Sequence, residues 1–327
     1  MTFSLSSIPY YSSSPVALVT GGTNGIGKVT VRELARHGFR VYITARDQDR
    51  AEKLLEELAV PIADVDSDGT GQVKCDVRIL ACDFMDLKSV VGVAEEFMAK
   101  EPKLDLLVNN AGVMFTPYAE SNDGYEMTLQ VNYLAPYLLT RLLLRPLLAA
   151  DAPRVVNLSS LVHMIGYSFN FSDPNLKNGV DLFNKGLRYI QSKLAVVLFT
   201  KQFANLHPKI LSLAVHPGII TATSLAQYLD TSTDLFGFVK FSWWLSSNLL
   251  SLVGGGTSIE DGALTSLYCA TDKDLTAEKD NGGYFVPIAK RSAASSKASD
   301  PLLSEKLWKW TEEQLLAKGY LKPDMHL

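Results

Sequence analysis

Cysteine is scarce in this chain: Cys75, Cys82 and Cys269 are the only three among 327 residues, far apart and set in apolar or strand-like surroundings. That excludes a disulfide framework or a zinc site as an organising feature and fits an intracellular, reducing compartment. Charge of one sign is missing as well. The chain carries 31 Lys and Arg against 35 Asp and Glu, a formal net charge of -4, with its basic residues scattered. Nothing in that distribution attracts nucleic acid. The stretch 1–15 is rich in Ser and Tyr but has neither the basic start nor the long apolar run of a secretory signal, so no cleaved leader is expected. No repeat is visible, and no metal site is expected.

What is present is ample apolar content, 47% against 20% charged, enough to bury the core of one elaborated α/β domain. Short apolar runs predict strands at 16–19, 40–44, 104–108, 154–158, 210–215 and 283–286, with another ending at 80–82. Helical spacing fills the intervals at 26–37, 49–58, 89–99, 129–148 and 187–206, and a last helix is predicted at 303–317. Strands alternating with helices imply an α/β fold: a doubly wound parallel sheet of about seven strands flanked by helices, in a single domain. The acidic, glycine-containing stretch 64–71 reads as a surface loop, and the Ser/Ala/Lys stretch opening the tail 290–327 as surface coil.

Three motifs carry chemistry. The turn Thr20-Gly21-Gly22-Thr23-Asn24-Gly25-Ile26-Gly27 follows the first strand and opens the first helix. Without Cβ atoms at Gly21, Gly25 and Gly27, the backbone can approach a pyrophosphate at the helix N-terminus. Asn109-Asn110-Ala111-Gly112 ends the fourth strand, where an open α/β sheet keeps its ligand crevice. Tyr189 and Lys193 stand four apart on one predicted helix, on one face and about 5–6 Å from each other. An ammonium there favours the ionised phenol, bringing a group with an ordinary pKa of about 10 nearer to neutrality and to use as an acid or base. An ordinary exposed Tyr/Lys pair has the same spacing, so this pair takes its meaning from the other motifs. His163 and His216 fall nearby and read as structural histidines.

Taken in order with Asn132, Ser159-Ser160 and His216-Pro217-Gly218, these motifs make the chain resemble the short-chain dehydrogenase/reductases over roughly residues 15–287. Asn157-Leu158-Ser159-Ser160 and Ser192-Lys193-Leu194-Ala195 look like the retinol-dehydrogenase-like branch. The ending Glu278-Lys279-Asp280-Asn281-Gly282-Gly283-Tyr284-Phe285 and the opening Ile8-Pro9-Tyr10-Tyr11 look nearer still to a fungal, lipid-droplet-associated member. The resemblance implies a Rossmann-type domain over 15–290, an N-terminal extension 1–14 and a helical tail 291–327.

It also implies roles. Ser160 would polarise a substrate carbonyl, with Ser159 as the neighbouring alternative. Tyr189 would be the general acid/base, Lys193 would lower its pKa and hold the nicotinamide ribose, and Asn132 would support a proton relay. Asp83 would contact adenine; Thr20, Gly21, Thr23, Asn24, Gly25, Ile26, Gly27, Asn109, Ala111, Gly112, Pro217, Gly218, Ile220 and Thr221 would line the cofactor. Between Ser160 and Tyr189 the long stretch 161–188 would be a substrate-side insertion. A carboxylate at the end of the second strand would bind the adenosine ribose and repel a 2′-phosphate, but the strand ends Thr44-Ala45-Arg46. Arg46 can instead pair with that phosphate, so NADP (NADPH) is the expected cofactor.

After Pro217-Gly218 the family places its substrate lid, and here 227–256 holds Phe236, Phe238, Phe241, Trp243, Trp244 and Leu245 within the apolar stretch 235–253. A lipophilic carbonyl or alcohol substrate is expected. Lys240, Ser242, Ser246, Ser247 and Asn248 interrupt the stretch, and a span needs about 20 predominantly apolar residues, so surface contact with a membrane or lipid droplet is expected rather than crossing. The implied location is the cytoplasmic face of the endoplasmic reticulum or a droplet, otherwise the cytoplasm. The family's habit of dimerising through its long helices keeps a homo-oligomer among the expected partners. Two other readings stay open: a ketoreductase of secondary metabolism, and a lipid-surface scaffold that binds cofactor without turnover.

Overall fold

The computed structural model describes residues 3–59, 75–178, 181–218, 220 and 258–322. Eight strands, β1 (Val16–Thr20), β2 (Arg40–Ala45), β3 (Asp76–Ala81), β4 (Leu106–Asn109), β5 (Arg154–Leu158), β6 (Leu211–Val215), β7 (Tyr284–Val286) and β8 (Lys290–Ser292), form one sheet. Their order is β3-β2-β1-β4-β5-β6-β7-β8, parallel as far as β7, with β8 antiparallel at the edge. β1 has neighbours on both sides and is buried along its whole length, which is why it reads as a continuous apolar run. The chain order reverses beside β1, between β2 and β4, and that reversal opens a crevice at the carboxyl ends of the strands. This is the Rossmann-like α/β architecture expected from the sequence.

Two cores sandwich the sheet. On one face lie α1 (Gly25–Arg36), α2 (Gln48–Ala59) and α8 (Ile259–Thr271), packing Val31, Leu34, Leu54 and Leu267 against β1, β2 and β6. On the other lie α3 (Leu87–Lys100), α5 (Ala135–Leu142), α6 (Leu144–Leu148), α7 (Asp181–Leu206) and α10 (Pro301–Ala317). The short helices α4 (Met127–Leu129) and α9 (Ala277–Asp280) complete the described set.

Four expectations change. The single helix predicted at 129–148 is α4, a π-helical segment Gln130–Leu134, α5 and α6 in succession. Pro136 explains the irregularity: it has no N–H to return to the Asn132 carbonyl one turn back, and the Ala135 amide donates to Gln130 instead. An eighth strand occupies part of the expected coil; its Lys290-Arg291-Ser292 sequence has no apolar alternation to announce it. α7 begins at Asp181 rather than 187, across a stretch holding Gly186 that weakens the periodic signal. α10 begins at Pro301, two residues early, because the Asp300 carboxylate caps it by accepting the Leu302 and Leu303 amides at 2.9 and 3.2 Å.

Tyr11 and Trp308 tie the described flanking segments to these cores. Tyr11 stacks edge-on against Phe39 at 4.7 Å, and its hydroxyl donates to the Thr271 carbonyl at 3.0 Å. Trp308 of α10 lies against Phe199 of α7 at 6.1 Å. The predicted loop 64–71 and the apolar stretch 227–256 lie outside the described residues.

Candidate active site

The crevice beside β1 is a cleft of about 470 Å³. Its floor is the glycine turn. Gly21 and Gly25 have φ of 64° and 54°, conformations that favour glycine, and a methyl on Gly27 would overlap both the Gly21 carbonyl oxygen and the Asn110 side-chain Nδ2. The turn is stitched to the end of β4. Thr20 Oγ1 accepts the Asn110 and Ala111 amides, each at 2.9 Å, and Asn110 Nδ2 donates to the Thr20 and Gly21 carbonyls at 2.8 and 3.1 Å. Asn24 caps α1, its Oδ1 accepting the Gly25 amide at 2.7 Å. A side-chain-free cradle at the start of a 12-residue helix fits a pyrophosphate.

Thr23, Asn24, Gly25, Ile26, Arg46, Asp83, Ala111, Gly112, Tyr189, Lys193 and Pro217 line the cleft with Gly21 and Gly27. Asn109 does not send its side chain there. Its Nδ2 donates to Thr140 and Asn157 in the core, at 3.0 and 2.8 Å, because the last residue of β4 still points between layers. Asn110, one residue on, is the one that reaches the turn. Ile220 also turns away, packing against Gly262 of α8, and Gly218 makes a left-handed bend with φ of 99°. Thr221 lies outside the described residues.

The reacting end is built by β5, α7 and the π segment. Ser159 Oγ donates to the Lys193 carbonyl at 2.8 Å, so this hydroxyl is committed to holding α7 against β5. Ser160, rather than Ser159, is the serine whose hydroxyl bears on the Tyr189 phenol, drawing its pKa down. Lys193 Nζ sits 5.7 Å from the Tyr189 ring centre and donates to the Leu158 carbonyl at 2.9 Å. Asn132 accepts the Val113 amide at 2.7 Å and donates to the Val113 carbonyl and to Ser192 Oγ at 2.9 and 3.0 Å. It thus locks the loop after β4 to α7. Gly112 is bare because a methyl there would press on Asn132 Oδ1 and approach Lys193 Nζ.

Burial sets the charges. Tyr189 is 8% exposed and Lys193 5%. Burial pushes the phenol up to about 12, against the smaller downward pull of Ser160, and brings the ammonium down to about 8. The phenol is therefore raised by burial, where its lysine neighbour was expected to lower it. His216 is also buried, which brings its imidazole down to about 4, with His163 a lesser cause. It is a neutral structural group at ordinary pH.

The model of the short chain dehydrogenase family matches residues 15–234. The chain belongs to the short-chain dehydrogenase/reductase family. This short-chain dehydrogenase/reductase is 39% identical over 318 residues to the short-chain dehydrogenase/reductase drtF of Aspergillus calidoustus, covering 94% of the chain and 95% of that relative. Retinol dehydrogenase 11 of Homo sapiens is 36% identical over 295 residues, covering 90% and 83%. Among solved structures, an uncharacterized protein from Mycobacterium Paratuberculosis aligns with a TM-score of 0.70 at 26% identity, over 96% of this chain and 97% of that one. The short-chain dehydrogenase/reductases are oxidoreductases that act on CH–OH or carbonyl groups and bind nicotinamide cofactors.

Sequence reasoning missed several contributors in this short-chain dehydrogenase/reductase. Arg50, in the first turn of α2, lines the cleft with Arg46 and pairs with Asp47 at 3.0 Å. Thr44 Oγ1 accepts the Gly21 amide at 3.3 Å. Phe115, with a left-handed φ of 53°, stands 5.9 Å from the Tyr189 ring. The doublet Asn109-Asn110 was the one available signal for Asn110; nothing local marked Phe115.

Proposed function

We propose that the protein is an NADP-dependent oxidoreductase that interconverts a lipophilic aldehyde or ketone and its alcohol. The observation that carries this is the placement of Tyr189 and Lys193 together on the wall of the glycine-floored cleft, with the ammonium 5.7 Å from the phenol ring centre. The nicotinamide, when bound, supplies or accepts the hydride. The backbone at Gly21, Gly25 and Gly27 would hold its pyrophosphate, Asp83 and Ala111 would border its adenosine, and Lys193 would hold its ribose. In the reducing direction Ser160 donates a hydrogen bond to the substrate oxygen while Tyr189 hands it a proton, so alkoxide charge never accumulates. Asn132 keeps the loop after β4 in register with α7 while this happens.

An apolar approach supports the lipophilic substrate class. The turn after Ser160 exposes Leu161, Met164 and Ile165, and Phe115 faces Tyr189. The same exposed turn supports peripheral contact with a lipid surface; among the described residues no helix is long and apolar enough to cross a membrane. The full chain is expected to float with phosphatidylcholine vesicles at low salt, and its remaining wholly in the soluble fraction would remove that part of the reading.

The function itself is tested by following loss of reduced-nicotinamide absorbance with long-chain aldehydes, retinal and steroid ketones. Turnover with NADPH supports the assignment; NADPH binding without turnover of any of them favours the scaffold reading. Arg46 is exposed on the cleft wall, which supports a role in selecting the 2′-phosphate. A charge-assisted hydrogen bond is worth about 1.5–3 kcal/mol, so Arg46→Ala is expected to weaken NADPH about 10- to 100-fold and to leave NADH within about 2-fold. Equal losses for both cofactors would overturn the NADP preference.

A further inference from the structure

We propose that His163 is a positioning residue for this reaction, tying the backbone of Ser160 to the C-terminal segment at Ser295; the proposal rests on the roles given above to Ser160 and Tyr189.

His163 lies on the 3-10 turn Leu161–Ile165, three residues after Ser160, and is wholly buried while its neighbours Leu161, Met164 and Ile165 are exposed. A histidine chosen only to cover surface would not be the inward residue of that turn. Its Nδ1 is 2.7 Å from the Ser160 carbonyl oxygen, which can only accept, so Nδ1 carries the hydrogen. Its Nε2 then has only a lone pair to offer, and the Ser295 amide donates to it at 3.3 Å. The two bonds specify one neutral tautomer. Burial and the neighbouring charge of Lys201 lower the imidazole's pKa, which agrees with that tautomer. Tyr284 of β7 holds the ring edge-on at 4.7 Å.

Each end of this strut is anchored. Ser295 accepts the Ala298 amide on its hydroxyl at 3.2 Å and the Ser299 amide on its carbonyl at 2.9 Å, and the chain then enters α10. At the other end, Ser159 N donates to Val215 of β6 at 2.8 Å, and the Ser160 hydroxyl weakly caps the turn through the Val162 amide at 3.4 Å. Ser160 hence sits between the sheet and the tail, and His163 is the bridge to the tail. The segment after 290 lies beyond the nucleotide-binding strands yet reaches the reacting serine through one ring.

The test compares wild type with His163→Leu, His163→Asn and His163→Gln, using NADPH and dodecanal, NADPH affinity by fluorescence, and amide hydrogen exchange over 159–166 and 290–299. Asn retains a donor near the Nδ1 position and Gln an acceptor near the Nε2 position, so each preserves one bond of the pair. Misplacing a reacting group by about 1 Å costs about 100-fold. The expected result is a kcat about 10- to 100-fold lower in His163→Leu, NADPH affinity within about 2-fold, intermediate kcat in Asn and Gln, and faster exchange in both segments together. A His163→Leu kcat equal to wild type, a wild-type kcat in His163→Asn, or exchange that rises in one segment alone would overturn the proposal. Should His163→Leu not fold, the Asn and Gln variants carry the same comparison. If dodecanal is not a substrate, the exchange pattern decides alone: joint loss of protection supports the strut whatever the substrate is, and separate behaviour removes it.

Discussion

Tyr189→Phe is expected to lower kcat by about 100- to 10,000-fold while NADPH affinity stays within about 2-fold and the melting temperature barely moves. The substitution keeps the ring, its contact with Phe115 at 5.9 Å and its burial, and removes only the hydroxyl. Loss of one hydroxyl hydrogen bond costs about 1 kcal/mol of stability, far below what the missing proton transfer costs the barrier. Direction matters too. With the phenol held up at about 12, Tyr189 is protonated at neutral pH and is ready to act as the acid of carbonyl reduction. Alcohol oxidation needs the phenolate, whose fraction grows about tenfold per pH unit below that value, so the oxidative rate is expected to climb with pH while the reductive rate stays level. Initial rates in both directions from pH 6 to 9 check this. An unchanged kcat in Tyr189→Phe, or the same pH slope in both directions, would mean that the proton travels by another group.

How much of this was legible in the sequence follows from which forces leave periodic traces. β1, β4, β5 and β6 are buried on both faces, and their apolar runs gave their positions to within two residues. Tyr189 and Lys193 were legible because a helix fixes their relation locally. The serine was not fully legible: Ser159 and Ser160 differ only in which face of the chain each presents, and that is settled by the Lys193 carbonyl, 34 residues away in sequence. Asn109 and Asn110 differ in the same way, through Thr140, Asn157 and Thr20. The π segment at Asn132 had a local cause in Pro136, yet the apolar periodicity of 129–148 concealed it, because every residue of Gln130–Leu134 is buried. β8 left no trace because its side chains are exposed and its pairing is purely backbone.

The tail is where sequence reading was weakest, and there the second large effect is expected: Glu312→Ala should destabilise the fold by about 3–5 kcal/mol. Glu312 of α10 and Arg141 of α5 form a two-pronged pair at 2.9 and 3.3 Å, with side chains only 8% and 3% exposed. The Tyr137 hydroxyl donates to the same carboxylate at 2.6 Å, and the Arg141 guanidinium lies 5.4 Å from the Trp308 ring centre. Removing the carboxylate takes from a buried guanidinium both of its bonds to Glu312 and from a buried phenol the oxygen it donates to. Trimming both sides removes that penalty, so Arg141→Met with Glu312→Leu is expected to recover most of the loss. Denaturant midpoints of the two single variants and the double give the coupling directly. Additive losses would show that α10 is held by its apolar face alone. A strong coupling would make the pair the lock that seats the tail against α5 and α7, the helix that carries Tyr189 and Lys193, and would explain how a segment beyond the parallel strands comes to bear on the reacting end.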